Sequence, residues 1–301
     1  NESTNIFDIE AARRQQIRLS TQERTGIPVV LFHDGEKITH QFTDKLPITN
    51  FPIKQSDNKD APVVIYEFPV ESPPYGLYVA GIDPYRQGQA KYSNSLGVVY
   101  IYKRMHNFMG DKYQDMIVAS YAARPDKKET WEEQARLLIK YYNARALCEN
   151  DEMSFIEYMI AKGDSYYLER QPQWIREIIP NTRVDREFGI SRSALKVINY
   201  LHTTYKKYTE DVVYEERDEE GSVTRQVTGM HKILDSLLLE ETIQYNEDDN
   251  FDRIVAAEIA IIQALKMDPI MGKIGNVDVR VESLYKHKRK NVLFSESRGL
   301  F

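Results

Sequence analysis

Leu77-Tyr78-Val79-Ala80-Gly81-Ile82-Asp83-Pro84-Tyr85 is the stretch whose reading decides the fold. An apolar, β-branched run ends in a single carboxylate, and Pro84 then removes a backbone donor and fixes φ, so the strand has to stop there. Asp83 is therefore expected at the tip of a buried strand. Downstream, Ser95-Leu-Gly-Val-Val-Tyr-Ile-Tyr-Lys-Arg104 reads as a second strand, joined to the first by the polar turn Arg86-Gln87-Gly88-Gln89-Ala90-Lys91. An acid at a buried strand end needs a partner charge, and a metal ion is one such partner if further acids arrive at matching element ends.

Further along the chain, Val63 to Tyr66 reads as a short strand and Tyr113 to Tyr121 as another. Thr130-Trp131-Glu132-Glu133 has the spacing of a capping box, opening a helix with Trp131, Ala135, Leu138 and Tyr142 on one stripe. Ala144 to Glu149 is a short apolar run that again ends in an acid. Asn150 and Asp151 then suit the cap of a helix from Glu152 to Lys162, with Phe155, Ile156, Met159 and Ile160 facing inward and Gly163 closing it. Tyr166-Tyr167-Leu168 reads as a further strand. This succession predicts an α/β fold, a mixed central sheet flanked by helices, in which the two acid-ended strands lie side by side. Val212-Val213-Tyr214 and Val223 to Val227, around Asp218-Glu219-Glu220-Gly221, predict an auxiliary β-hairpin within about 209–229. Leu234 to Tyr245 reads as a helix. Asp248-Asp249-Asn250 is expected to cap another from Phe251 to Met267, apolar around nearly its whole circumference, from Ile254 to Leu265, and hence buried, with Asp252 in its first turn.

Residues 1–60 mix charged runs and turn formers, with a helix-like Ile6 to Glu23, and are expected to form a connecting or auxiliary segment; 61–269 form the main domain and 270–301 a basic tail. The chain does not start with Met, so it is expected to be a piece of a longer one. It carries 40 Lys and Arg against 46 Asp and Glu, a net charge of −6 that gives no global attraction for nucleic acid; any phosphate contact has to come from local patches. The single Cys148 excludes an intramolecular disulfide and fits a reducing compartment, and no apolar run approaches the roughly 18 residues of a membrane helix. Cys148 is expected to be a small core residue, and His33, His40, His106, His202, His231 and His287 show no ligand spacing.

Asp83, Glu149 and Asp252 thus occupy comparable places, two at strand ends and one at the start of a buried helix. Oxygen donors of this kind suit Mg²⁺ or Mn²⁺ better than zinc, and two such ions roughly 4 Å apart can clamp a phosphodiester. Taken singly, each acid also has a plain structural reading, as a turn or helix cap or a favourable charge at a helix N-terminus.

Gly81-Ile82-Asp83-Pro84, Ala146-Leu147-Cys148-Glu149-Asn150 and Asn250-Phe251-Asp252-Arg253-Ile254-Val255-Ala256-Ala257 together resemble the nuclease domain of the tailed-bacteriophage terminase large subunit, a member of the RNase H-like (RuvC-like) superfamily, over roughly Val63 to Met267. The resemblance implies metal-dependent cleavage of concatemeric double-stranded viral DNA during genome packaging, with Asp83 bridging two ions and Glu149 and Asp252 each completing one. It also implies an ATPase domain, a small terminase subunit and a portal protein as partners, a location in the host cytoplasm, and the hairpin as an insertion near the DNA groove. Two departures stand out: where many terminases place another acid this chain has Tyr92-Ser93-Asn94-Ser95, and no Gly-x-x-x-x-Gly-Lys-Ser/Thr phosphate loop occurs. Asp248 and Asp249 are possible auxiliary metal ligands. Arg86, Lys91 and the run Lys286-His287-Lys288-Arg289-Lys290 are candidate DNA contacts, with Arg192 and Lys196 as further ones. A resolvase, transposase or integrase-type nuclease and a non-catalytic phage DNA-binding or assembly module stay open beside this reading.

Overall fold

The computed structural model describes residues 5–268 except 23–24, 55, 86–94, 106–113, 180–185 and 248. Its elements run α1 (Ile9–Ser20), β1 (Ile27–Asp34), β2 (Lys37–Phe42), β3 (Val63–Ile65), β4 (Tyr78–Asp83), β5 (Gly97–Lys103), β6 (Met116–Ala123), α2 (Lys128–Tyr141), β7 (Arg145–Cys148), α3 (Ser154–Ala161), α4 (Trp174–Ile178), α5 (Leu195–Glu210), β8 (Val212–Arg217), β9 (Val223–Thr228), α6 (Ser236–Gln244) and α7 (Asp252–Lys266). Seven strands form one mixed sheet in the order β2-β1-β3-β6-β5-β4-β7, and β8-β9 is a separate hairpin. Only the β4–β7 pair is parallel, which places the two acid-ended strands side by side.

Every residue of β4 and β5 is buried, as expected of strands covered on both faces. Two glycines identify the covers. A Cβ on Gly81 of β4 would lie 2.1 Å from the Ala256 carbonyl oxygen and 2.3 Å from the Ala260 nitrogen, so α7 rests directly on that strand. A Cβ on Gly97 of β5 would lie 2.3 Å from the Trp131 ring, and the Trp131 Nε1–H donates to the Gly97 carbonyl at 3.0 Å, so α2 covers the other face. The predicted stripe Trp131, Ala135, Leu138 and Tyr142 is buried throughout.

Several local expectations are corrected. The described part of residues 1–60 does not lie outside the core: β1 and β2 extend the sheet beyond β3, and Phe7, Ala12, Leu19, Val29 and Leu31 are buried. The signal was Asp34-Gly35, a short hairpin turn in which Gly35 takes φ +61°. Helix α2 starts at Lys128, so Thr130 sits inside its first turn and the capping box with Glu133 does not form; Glu133 instead holds Arg136. Asn150 and Asp151 do not cap α3, because Asn150 donates to the Phe188 carbonyl and Asp151 accepts from Ser191 and from the Arg192 amide. Ser165 to Tyr167 is a 3₁₀ turn, with Leu168 making one isolated bridge to Ala146. Ile160 and Leu265 are exposed, while α7 is otherwise buried from Asp252 to Gln263. Gly163 closes α3 with φ +75° as expected. No helix among the described residues is long and apolar enough to cross a membrane.

Candidate active site

Side chains alternate along a strand, so residues two apart share a face. Gly81 faces α7, and Asp83 therefore does too. In the parallel register Gly81 pairs with Leu147 and Ile82 with Cys148, while the Glu149 amide donates to the Ile82 carbonyl at 2.9 Å. Glu149 thus stands beside Asp83 on the α7 face, about one strand spacing (~4.8 Å) away along the sheet. The third acid follows from the helix. Ala256 and Ala260 pack on Gly81, and Asp252 lies one turn earlier, about 6 Å along the axis. Gly81 to Asp83 covers about 6.6 Å of strand. The matched distances bring the start of α7 over the end of β4.

Asp252 is 7 % exposed and is held by the Leu96 amide at 2.6 Å on one oxygen, and by Ser95 Oγ at 3.2 Å and Asn250 Nδ2 at 2.7 Å on the other. The cap of α7 is not the predicted Asp248-Asp249-Asn250 segment. Glu241, on α6, accepts from the Arg253 and Ile254 amides at 2.9 and 3.2 Å and from the Arg253 guanidinium at 3.2 Å. A carboxylate from a neighbouring helix satisfies the orphan donors, a long-range contact that local spacing does not reveal. Both members of this ion pair are almost fully buried. Glu241→Ala leaves a buried guanidinium short of its closest carboxylate and uncaps α7, so it is expected to cost about 3 kcal/mol, with Glu241→Gln costing less because the amide oxygen still accepts. Urea denaturation of the two variants checks this.

The three acids act on one another electrostatically. The Asp83 carboxyl is held well above the ordinary carboxylate range, first by burial, then by the charges of Glu149 and Asp252 and by a hydrogen bond with Glu149; Arg192 opposes the shift. Burial pushes Asp252 up to about 6, against the hydrogen bonds that favour its ionised form. Cys148, beside them, is buried with its thiol pushed upward, first by burial and then by the neighbouring carboxylates, which fits the expected core role. Among the described residues no group of three or more His, Cys, Asp or Glu is gathered closely enough to hold a metal ion as the side chains stand. The donor set nevertheless fits a hard cation. It is all oxygen, Asp83 and Asp252 are buried and Glu149 half-buried, and the raised Asp83 carboxyl marks a place where negative charge lacks compensation that a cation would supply.

Among the described residues, Arg192 and Arg124 are cations near the acids, beside Arg253. The Arg192 guanidinium reaches Glu258 at 3.6 Å; Arg124 stacks on the Tyr85 ring at 4.4 Å and donates to the Ser95 carbonyl at 2.8 Å, beside Asp252. Sequence reasoning missed Arg124, Glu258 and the buried His202, because their roles rest on contacts between distant segments. Asp249 is exposed and accepts from Asn246 at 2.8 Å, so it neither caps α7 nor joins the acids. Lys196 is exposed at the start of α5. Asp248, Arg86, Lys91, Lys286, Lys288, Arg289 and Lys290 lie outside the described residues. The predicted hairpin is present as β8–β9 and is mostly exposed. No protein-family model matches the chain, and no curated protein matches it.

Proposed function

We propose that this chain is a Mg²⁺- or Mn²⁺-dependent endonuclease with an RNase H-like fold, cutting double-stranded DNA as the nuclease portion of a phage terminase large subunit does. The observation that carries the reading is the meeting of Asp83, Glu149 and Asp252 at the end of β4, on one face of the sheet, from three segments far apart in sequence. Gathering three carboxylates, two of them buried, is costly, and a fold keeps such a cluster where a cation or a phosphate-bound metal compensates it. A pair of divalent ions, when bound, supplies an activated water and charge neutralisation on the leaving oxygen.

The chain's own residues do the rest. Asp83, at the end of a strand buried on both faces, is a rigid anchor, and the central one of the three. Glu149 sits at its side on the parallel neighbour, and Asp252 approaches from the start of α7. Ser95, Leu96 and Asn250 hold the Asp252 carboxylate in reserve, and ligation requires it to exchange part of that set. Because burial holds the Asp83 carboxyl above the ordinary range and a metal would need it ionised, metal affinity should rise with pH. The test is digestion of a supercoiled plasmid with Mg²⁺ or Mn²⁺, alongside melting curves with and without the metal. Nicking and linearisation together with a metal-dependent rise in melting temperature are expected. A protein that neither cuts nor responds to metal would leave only a DNA-binding or assembly role.

A further inference from the structure

A chain of four side chains ends at this pocket without contributing a carboxylate to it. Ile190 is hydrogen bonded to both neighbours of Glu149, its amide donating to the Cys148 carbonyl at 2.9 Å and its carbonyl accepting from the Asn150 amide at 2.8 Å. Two residues on, the Arg192 amide donates to Asp151 at 3.0 Å, and Ser191 Oγ donates to the same carboxylate at 2.7 Å. The backbone of Arg192 is thereby pinned next to the Glu149 strand end. Its side chain, 15 % exposed, runs to the other wall of the pocket, where Nη2 lies 3.6 Å from Oε2 of Glu258 on α7, the helix that also carries Asp252. Arg192 Nε makes no hydrogen bond to a described residue.

Glu258 has no exposure at all, and a buried carboxylate of this kind is stable only with partners. Its other oxygen is hydrogen bonded to His202 Nδ1, and His202 Nε2 meets the Tyr245 hydroxyl at 2.8 Å. With the carboxylate accepting, Nδ1 carries the proton and Nε2 accepts from tyrosine, so each member orients the next. The line Tyr245–His202–Glu258–Arg192 runs from the interior to the acids and terminates in a guanidinium.

We propose that Arg192 binds a phosphate oxygen of the DNA backbone at the Asp83–Glu149–Asp252 pocket, and that Glu258, His202 and Tyr245 are positioning residues that hold its guanidinium there. The assignment rests on the nuclease reading for the identity of the pocket. Its reason is charge balance: a polyanion has to approach three carboxylates, and the planar fork of arginine fits a phosphate in a fixed orientation. Glu258 meets that fork only through the 3.6 Å ion pair at Nη2 and makes no hydrogen bond to it.

The decisive experiment measures duplex binding against salt in chelator, with no cleavage needed, and turnover with Mn²⁺ separately, for Arg192→Ala, Arg192→Lys and Glu258→Gln, each checked for folding by its melting curve. In chelator, Arg192→Ala should reduce the slope of log K against log salt by about one, the signature of one lost phosphate contact, while Arg192→Lys keeps it. With Mn²⁺, Arg192→Ala should lose roughly 10²-fold in kcat/KM, the size of effect seen when one preorganised donor is removed. Lysine should recover only part of this, because it lacks the fork, and the metal-induced melting shift should persist in all three. Glu258→Gln should keep the salt slope but lower kcat by about 10-fold, as loss of an orienting partner does. An unchanged slope in a folded Arg192→Ala overturns the proposal whatever the nuclease does. Native protein that binds duplex DNA with the predicted slope change but never cleaves overturns the nuclease reading alone, and native protein that binds no duplex overturns both.

Discussion

Asp83→Asn is expected to abolish metal-dependent cleavage and at the same time to raise the melting temperature in chelator. The loss follows from the central place of Asp83 among the acids. Removing an anchoring ligand forfeits charge stabilisation of roughly 4 kcal/mol, equivalent to about 10³-fold in rate. The gain in stability follows from the same burial. Asp83 is buried beside two other carboxylates, and an amide of equal size is neutral without having to take up a proton on folding and leaves no cavity. The pH dependence has a definite sign. The folded protein keeps a proton on this carboxyl that the unfolded chain releases near pH 3.8, so the native state binds more protons and its stability falls as pH rises above that value. Melting curves in chelator from pH 4 upward should show this decline in the native protein and a flatter line in Asp83→Asn. Equal melting temperatures and retained cleavage in the variant contradict the assignment.

Gly81→Ala should be strongly damaging for a single added methyl. The added Cβ meets backbone atoms of α7 at 2.1 and 2.3 Å, and backbone cannot swing aside as a side chain can. Helix and strand have to separate, at a cost of about 3 kcal/mol, the upper part of the range for overpacking. In a chain of this size that corresponds to a fall in melting temperature of roughly 5 °C. Because α7 carries Asp252, the displacement should also remove the metal response. Gly97→Ala supplies the contrast. Its Cβ meets the Trp131 ring on the opposite face, so it should destabilise through α2 while leaving the metal-dependent shift in place. If Gly81→Ala behaved like Gly97→Ala in both readouts, the packing of α7 would not be what brings Asp252 to the sheet.

The central strands were legible because their physics is local. β4 and β5 are continuous apolar runs bounded by Pro84 and polar segments, and both are buried along their whole length. The neighbouring of the acid-ended strands followed from their pattern, and the circumferential apolarity of α7 announced its burial. What could not be read was settled by contacts across the chain. Glu241 caps α7 from another helix, Asp151 pins the Arg192 segment and not its own helix, and Glu258 meets His202 56 residues away in sequence. Capping rules reward a polar residue close before a helix; they misassigned Asn150 and Asp151 because tertiary partners took up those side chains, Thr130 because α2 starts two residues earlier, and Asp249 because it bonds to Asn246 instead. The first sixty residues were misjudged for a different reason. β2 alternates polar and apolar residues at the sheet edge, and β1 carries an apolar run broken by Pro28, so the pairing of the two was marked in the sequence only by Asp34-Gly35 at the turn.

The convergence of three distant carboxylates on a divalent-metal site is tested most directly by anomalous diffraction from a crystal of the native protein soaked in Mn²⁺. Peaks lying among Asp83, Glu149 and Asp252, with Asp252 turned away from Ser95 toward them, are the predicted result. A crystal that takes up no manganese between these side chains, or takes it up only elsewhere, contradicts the account.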